Sequence, residues 1–432
     1  AKAILDKVIA LSTADETIAQ LGGGITGNVR FARNDISTSG IVDDIELGVQ
    51  VAFGKRVGTA TINQFDDASL ERVVRRAEDL AKLAPENPEF MPAVGKQTYR
   101  PTDTFSEATA ALTAEARAKI AEDSILPCRE RNLIAAGFLE DGHTFFAHAN
   151  SNGNFGYQRS TIADYTCTVR TEDGRGSGWV GSNVQDIAEL DAARDIQIAM
   201  RKAAASVDAQ ALEPGKYTVI LEPAAAAGLI SFMMNFFDAR SADEGRSFLS
   251  KQGGGNKIGD QIMDPRVNIY TDPWHPLCPA LPWDGDGLPR EKASIIEAGK
   301  VANLEYSRYW ASKPETAGWG NVVMEGGSKS TSELIAGTER GVLLTRTWYI
   351  RMVDPQTVLL TGLTRDGTFY IENGQLKYPI KNFRFNESPV IMLNNIEELG
   401  RSVRVKADEG GSMLLPPMKI RDFTFTSLSD AV

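Results

Sequence analysis

Ile4, Leu5, Val8, Ile9 and Leu11 recur at the three-and-four spacing of an amphipathic helix, which predicts a helix over about residues 3–21. Apolar and polar positions then alternate with period two over 28–33, 45–53 and 59–63, predicting three strands. The next helix is expected over 68–82, with Asp67 or Ser69 as its cap and Glu71 in its first turn. Pro85, Pro88, Pro92 and Pro101 mark an extended crossing segment, and a helix is expected over 113–122. Residues 133–140 and 144–150 read as a hairpin turning at Asp141-Gly142, with a strand returning over 157–170. A long amphipathic helix is expected over 183–205.

The pattern changes at Glu213-Pro-Gly215. Beyond it lie an apolar β-branched run, Tyr217 to Leu221, and a nearly all-apolar helix over 224–237, which implies burial on most faces. The rest is strand and turn. Ile296-Glu-Ala-Gly-Lys-Val301 and Ile371-Glu-Asn-Gly-Gln-Leu376 echo each other as hairpins with glycine at a positive-φ position, and they suggest one antiparallel sheet. The expected fold is α+β in two domains. Residues 1–210 would form a mixed sheet flanked by helices, and 211–432 a largely antiparallel, barrel-like sheet around the apolar helix.

Composition narrows the function. Of 432 residues, 42% are hydrophobic and 24% charged, the balance of a globular protein. A net charge of -11 offers no surplus for nucleic-acid phosphates, and no apolar run is long enough to span a membrane. The first ten residues read as an amphipathic helix rather than a signal peptide. Cys128, Cys167 and Cys278 are odd in number and far apart, which points to a reducing, cytoplasmic setting. Only His143, His148 and His275 supply imidazole.

Several strings match chemical motifs without their context. Gly22-Gly-Gly24-Ile-Thr-Gly27 follows a predicted helix, the inverse of a dinucleotide site, and reads as a helix-to-strand link. Gly176-Ser-Gly178-Trp-Val-Gly181 reads as a strand-to-helix loop, because no second β-strand with an acidic end follows. His143 and His148 fall on opposite faces of a strand, and His275-Pro-Leu-Cys278 is only a pair of donors. Asp284-Gly-Asp286-Gly lacks the remaining ligands of a calcium loop and reads as a turn. No serine elbow occurs. The richest stretch, Thr345 to Gly374, reads as three strands with Arg346, Arg351, Asp354, Arg365 and Asp366 set to pair with each other or to face a ligand.

This stretch resembles the TldD/PmbA family, also known as TldE or "modulator of DNA gyrase", in Trp348-Tyr-Ile-Arg-Met-Val-Asp-Pro355, Thr361-Gly-Leu-Thr-Arg-Asp-Gly367 and Ile371-Glu-Asn-Gly374. Pro282-Trp-Asp-Gly-Asp-Gly-Leu-Pro289 and Ala149-Asn-Ser-Asn-Gly153 fit the same family, so the resemblance covers most of the chain in order. It implies a fold shared by TldD-type zinc peptidases, which carry a His-Glu-x-x-x-His helix and a late cysteine, and PmbA-type chains that lack these ligands and assemble with the TldD type. Here the matching positions fall near Ser231, Phe232 and Asn235 or Phe236, and no cysteine follows Cys278. The resemblance therefore implies no metal or catalytic residue in this chain, with zinc only in a TldD-type partner. It implies a non-metal subunit that pairs with such a peptidase, or with another copy of itself, and helps bind peptide. Trp348, Arg351, Asp354, Arg365 and Asp366 are the candidate peptide-facing residues. Two competing readings are a self-sufficient peptidase, using His275 and Cys278 or a non-metal nucleophile, and a homodimeric peptide-binding module without catalysis.

Overall fold

The computed structural model describes residues 1–311, 317–406 and 411–429. The N-terminal half runs α1 (Lys2–Leu11), β1 (Glu16–Ala32), β2 (Asp35–Phe53), β3 (Arg56–Ile62), α2 (Asp67–Leu83), α3 (Glu107–Ala110), α4 (Ala114–Glu130), β4 (Leu133–Asn150), β5 (Phe155–Thr171), β6 (Ser177–Val184) and α5 (Ala192–Ala205). Its six strands form one sheet in the order β3-β2-β1-β4-β5-β6, and all five pairings are antiparallel, a more uniform sheet than expected. The long strands β1 and β4 carry their buried hydrophobic residues at odd positions: Ala19, Leu21, Val29 and Phe31 on β1, Leu139, Ala147 and Ala149 on β4. Odd positions share one face. Helices α1 and α2 cover one end of that face and α4 and α5 the other, so helices are segregated to one side of an antiparallel sheet. The opposite face meets the second half of the chain, where Gln20 Nε2 donates to the Gly285 carbonyl at 3.1 Å and Phe146 stacks on Trp283.

Five local expectations are corrected here. The first helix ends at Leu11, and residues from Glu16 onward are strand. The Gly22–Gly27 string is therefore strand interior, not a link. Its glycines are required by close approach: a Cβ on Gly23 would lie 2.2 Å from the Asp44 carbonyl oxygen, and one on Gly24 2.1 Å from that of His143. Asp141-Gly142 is no hairpin turn but the middle of β4. Arg117 of α4 grips Asp141 (Nη2 to Oδ2, 2.9 Å), and a Cβ on Gly142 would stand 2.8 Å from Thr26 Cγ2. The expected 183–205 helix begins at Ala192, capped by Asp191, and its first part is the end of β6 and a short 3-10 turn. Val184, Ile187 and Leu190 pack on the same core as the helix, which is why the spacing read as one element. The Gly176–Gly181 string accordingly leads into and forms β6. Two further ends move: the α2 cap is Asp66, which accepts from the Ser69 amide, and α4 continues past 122 to Glu130 through Pro127.

The C-terminal half runs β7 (Gly215–Leu221), α6 (Pro223–Met234), α7 (Ala239–Asp243), β8 (Ile269–Thr271), β9 (Ala293–Glu297), β10 (Lys300–Val301), β11 (Val322–Met324), α8 (Thr331–Ala336), β12 (Arg340–Asp354), β13 (Leu359–Glu372), β14 (Gln375–Pro379), β15 (Phe383–Glu387), α9 (Pro389–Asn394), β16 (Ile396–Leu399), β17 (Val403–Lys406), β18 (Ser412–Leu415) and β19 (Met418–Leu428). Strands β12-β7-β19-β15-β13 close on themselves through β12–β13 into a five-stranded barrel, parallel only at β12–β7. Phe383, Phe385, Phe423 and Phe425 are buried together in its core, with the Phe383 and Phe425 rings 4.4 Å apart. A second sheet has the order β10-β9-β8-β11-β18-β17.

The apolar helix α6 packs against β12 of the barrel and against β17 and β18 of the second sheet. Burial from several sides explains its all-round hydrophobicity. The two echoing hairpins both turn through positive φ, at Ala298-Gly299 and Asn373-Gly374. They belong to different sheets, however, β9–β10 to the second and β13–β14 to the barrel sheet. Turn chemistry is local, so it reveals a hairpin but not the sheet that receives it.

Candidate functional site

A cleft of about 320 Å³ opens where β12, α6, β6 and β17 meet. Its floor is one face of α6, where Ala224, Gly228 and Phe232 follow at intervals of four. Its walls carry Arg346, Trp348, Tyr349 and Arg351 from β12, Trp179 from β6 and Lys406 from β17. A break in register between Trp348 and Arg351 bulges β12, with Tyr349 at φ 53°. The bulge leaves Tyr349 exposed and sets Ile350 over Gly228.

Stacking orders the cations. The Arg346 guanidinium lies 4.8 Å from the Trp179 ring centre and 4.7 Å from that of Trp348, so it bridges the two halves of the chain. Arg365 stands 5.1 Å from Trp348 on β12, and Arg351 lies 4.3 Å from Tyr349. Behind them sits Asp366, 2% exposed, at a second bulge with φ 58°. Its carboxylate is 3.6 Å from Arg346 and 3.8 Å from Arg365, and it accepts from Ser177 Oγ at 2.6 Å. Lys406 pairs with Asp164 at 2.9 Å.

Of the expected site residues, Trp348 and Arg351 line the cleft, and Arg365 and Asp366 support it through Trp348 and Arg346. Asp366 itself lines a different cavity, of about 340 Å³, between β6 and the barrel. Asp354 lies apart. It closes the β12–β13 turn by accepting from Thr357 Oγ1 at 2.7 Å and the Gln356 amide at 3.0 Å, and these bonds hold its carboxyl below the usual range. Sequence reading missed Trp179 and Lys406 as wall residues. A large aromatic set between glycines beside a strand was the available signal for Trp179, and nothing singled out Lys406.

The groups weighed as metal donors are dispersed. Phe232 faces the first cleft, whereas Ser231 and Asn235 line another cavity, of about 440 Å³, with Asp238 and Glu305. His275 Nδ1 accepts from the Leu277 amide at 3.2 Å. The buried Cys278 thiol faces the Ser412 carbonyl, and burial pushes its pKa up. His148 is fully buried beneath Gly287, and burial pushes its imidazole below the ordinary value while Asp284 opposes that shift. Asp284 Oδ1 accepts from the Asp286 and Leu288 amides, which makes its loop a turn. Among the described residues no three His, Cys, Asp or Glu side chains come together in a way that could hold a metal. The donor set does not fit zinc.

Comparison with known proteins places this geometry. Signatures described as the PmbA/TldA metallopeptidase domain 1, central domain and C-terminal domain match residues 23–81, 99–208 and 214–427. The chain is 22% identical over 424 residues to "Metalloprotease PmbA" of Escherichia coli O157:H7, covering 92% of this chain and 90% of that protein. It is 21% identical over 411 residues to a "Metalloprotease PmbA homolog" of Haemophilus influenzae, covering 89% and 88%. The fold is shared with TldE from Thermococcus kodakarensis, at a TM-score of 0.88 and 18% identity, covering 98% of this chain and 99% of that one. It is also shared with a candidate modulator of a DNA gyrase from Thermotoga maritima, at a TM-score of 0.87 and 16% identity, covering 98% and 100%.

Proposed function

The chain belongs to the TldD/PmbA family, and from that premise we propose that it serves as the non-metal subunit of a TldD-type zinc metallopeptidase, where it helps to bind peptide. The observation that carries this reading is what stands at the positions matching the zinc helix: Ser231, Phe232 and Asn235 offer a hydroxyl, a phenyl ring and an amide where zinc and a general base need imidazole, thiolate or carboxylate. What remains beside them suits binding rather than bond cleavage. Trp348 and Tyr349 present flat apolar area, and Arg346 and Arg351 present fixed donors.

The partner would supply zinc and the activated water, and this chain would orient one end of the peptide and shield it from bulk water. We place this work in the cytoplasm, consistent with three buried free cysteines. Among the described residues no helix is long and apolar enough to cross a membrane.

The test is purification of the tagged chain from its own cells and alone, with zinc content and peptidase activity read on both. Zinc and activity found only with a co-purifying TldD-type chain support the reading. Stoichiometric zinc with activity in the isolated chain would sink it.

A further inference from the structure

We propose that the free edge of β2 pairs with the same edge of a second copy of this chain, antiparallel about a twofold axis at Ser39. The pairing is independent of any role in peptide binding, because the cleft is walled by β6, and β2 lies four strands, roughly 19 Å, from β6 in the same sheet.

The edge is open over a long stretch. β3 covers β2 only from Leu47 to Phe53, and among the described residues 35–46 pair with β1 alone. None of those residues is buried. Every second one turns its N–H and C=O away from β1, into water. Natural edges of this kind are commonly blunted with lysine or proline, and 35–46 contains neither. Instead, Ile36 is 45% exposed and Ile41 62%.

The edge matches itself in one register. A bulge at Ser37 shifts the pairing with β1 from Phe31↔Ile36 to Arg30↔Thr38. Ile36, Ser39 and Ile41 therefore oppose Phe31, Val29 and Gly27, and all three fall on the helix-covered face. With Ser39 facing its own copy, the two bulges are in phase, and Ile36 of each chain stands opposite Ile41 of the other. Continuing outward, the Arg33-Asn34 turn of one chain meets Asp44 and Asp43 of the other. Among the described residues neither Arg33 nor Asp44 makes an ion pair in its own chain. The turn also ends short of Ile62, the β3 residue that covers β2 from Leu47 onward.

The occupant follows from this match. Sliding the strands so that Gly40 faces its copy would set Asp35 against Asp44 and Ile36 against Asp43, and like charges directly opposite are destabilising. An unrelated strand would have to supply two apolar partners and the opposite charge in the same order. A second copy supplies them by symmetry, each contact occurring twice.

The experiment is sedimentation velocity on the full chain across about 1–100 μM, read beside hydrogen exchange of the 35–44 amides. A monomer–dimer equilibrium is expected, with those amides protected in the dimer. Ile41→Lys, at an exposed position that leaves circular dichroism unchanged, should weaken the dimer about tenfold or more. Arg33→Glu and Asp44→Lys should each weaken it about tenfold, since each sets like charges together twice. An equimolar mixture of those two variants should recover dimer to within about twofold of the parent, because every contact then joins opposite charges. A parent chain that stays monomeric at about 100 μM overturns the proposal. A dimer indifferent to all three substitutions overturns it and puts the interface elsewhere. Single variants that weaken the dimer but do not recover on mixing overturn the twofold register. Protection of these amides only when a different chain is added overturns it as well and gives the edge to that partner. None of these outcomes depends on zinc or peptidase activity, so the two readings fail separately.

Discussion

Gly27→Ala is expected to damage the N-terminal sheet far more than a single methyl group ordinarily does. A Cβ at residue 27 would lie 2.1 Å from both Cζ and Nη2 of Arg117, a distance no methyl can occupy. The guanidinium cannot shift slightly, because it donates to both oxygens of Asp141 and to the Leu112 carbonyl at 3.1 Å. Arg117 is 4% exposed and Asp141 2%, so expelling the guanidinium strands a carboxylate inside the protein. Breaking a buried pair in this way costs about 3–5 kcal/mol. The chain has more than one sheet and need not unfold in one step, so the assay is native-state hydrogen exchange of the β1 and β4 amides, which reports local opening. The expected fall in protection is roughly 150-fold to several thousandfold. Gly40→Ala is the control, since its Cβ would meet nothing closer than Asn28 Nδ2 at 3.8 Å. It should stay within about 0.5 kcal/mol of the parent. Asp141→Ala removes the same interaction, so combining it with Gly27→Ala should cost clearly less than the sum. Strict additivity, or a Gly27→Ala protein as protected as Gly40→Ala, would refute the account.

Two further outcomes follow from single side chains. Burial lowers the His148 pKa below its ordinary 6.5, so the unfolded chain takes up that proton first and stability falls as pH drops below 6.5 until the folded value is reached. The slope from one such group is at most about 1.4 kcal/mol per pH unit. His148→Leu should shallow the decline in urea midpoint as pH falls below 6.5, leaving the part due to the half-buried His275, and parallel curves would count against this assignment. Asp354→Ala should loosen the β12–β13 turn, seen as faster exchange at the Gln356 amide, with peptide affinity unchanged within about twofold. A large loss of affinity would move Asp354 into the binding surface.

Legibility followed the range of the forces involved. An apolar β-branched run located β7 and turn chemistry the Asn373-Gly374 turn, because these are decided within a few residues, whereas the three strands expected between Thr345 and Gly374 are two, β12 and β13. The apolar run at 224–237 announced a buried helix for the same reason, though not that it ends at Met234. The end of β1 was legible as the strand expected over 28–33, but its part from Glu16 to Gly27 was not, because its central glycines have no strand preference of their own. They are strand because β2 and β4 hold them on both sides, and the pairing with β4 joins residues over a hundred apart. Asp141-Gly142 misled for a related reason: its turn propensity is overridden by Arg117, 24 residues away. At the site, the β12 residues were legible as a polar-aromatic cluster. The walls from β6 and β17 were not, since no local pattern reports which strand end a barrel will meet.

The packing of α6 bears on which side chains the helix can carry toward the cleft. Ala225, Ala226 and Ala227 are fully buried, and the Thr347 hydroxyl donates to the Ala225 carbonyl at 2.8 Å, which draws β12 close to the helix. At Gly228 a Cβ would already lie 2.6 Å from Ile350 Cδ1. An imidazole is far larger than that carbon, so a histidine at 228 would have to push the β12 bulge outward at a cost typical of overpacked cores, about 1–3 kcal/mol. A zinc site needs three or four such donors converging within about 2.0–2.3 Å of one point, each with its own supporting hydrogen bond. The same bulge that would have to yield also carries Tyr349 and precedes Arg351, so donors placed on this face of α6 would disturb the cleft wall. Small residues on this face of α6 and a bulged β12 are thus one arrangement: close approach of the helix shapes the cleft wall and leaves no room at 228 for a larger side chain.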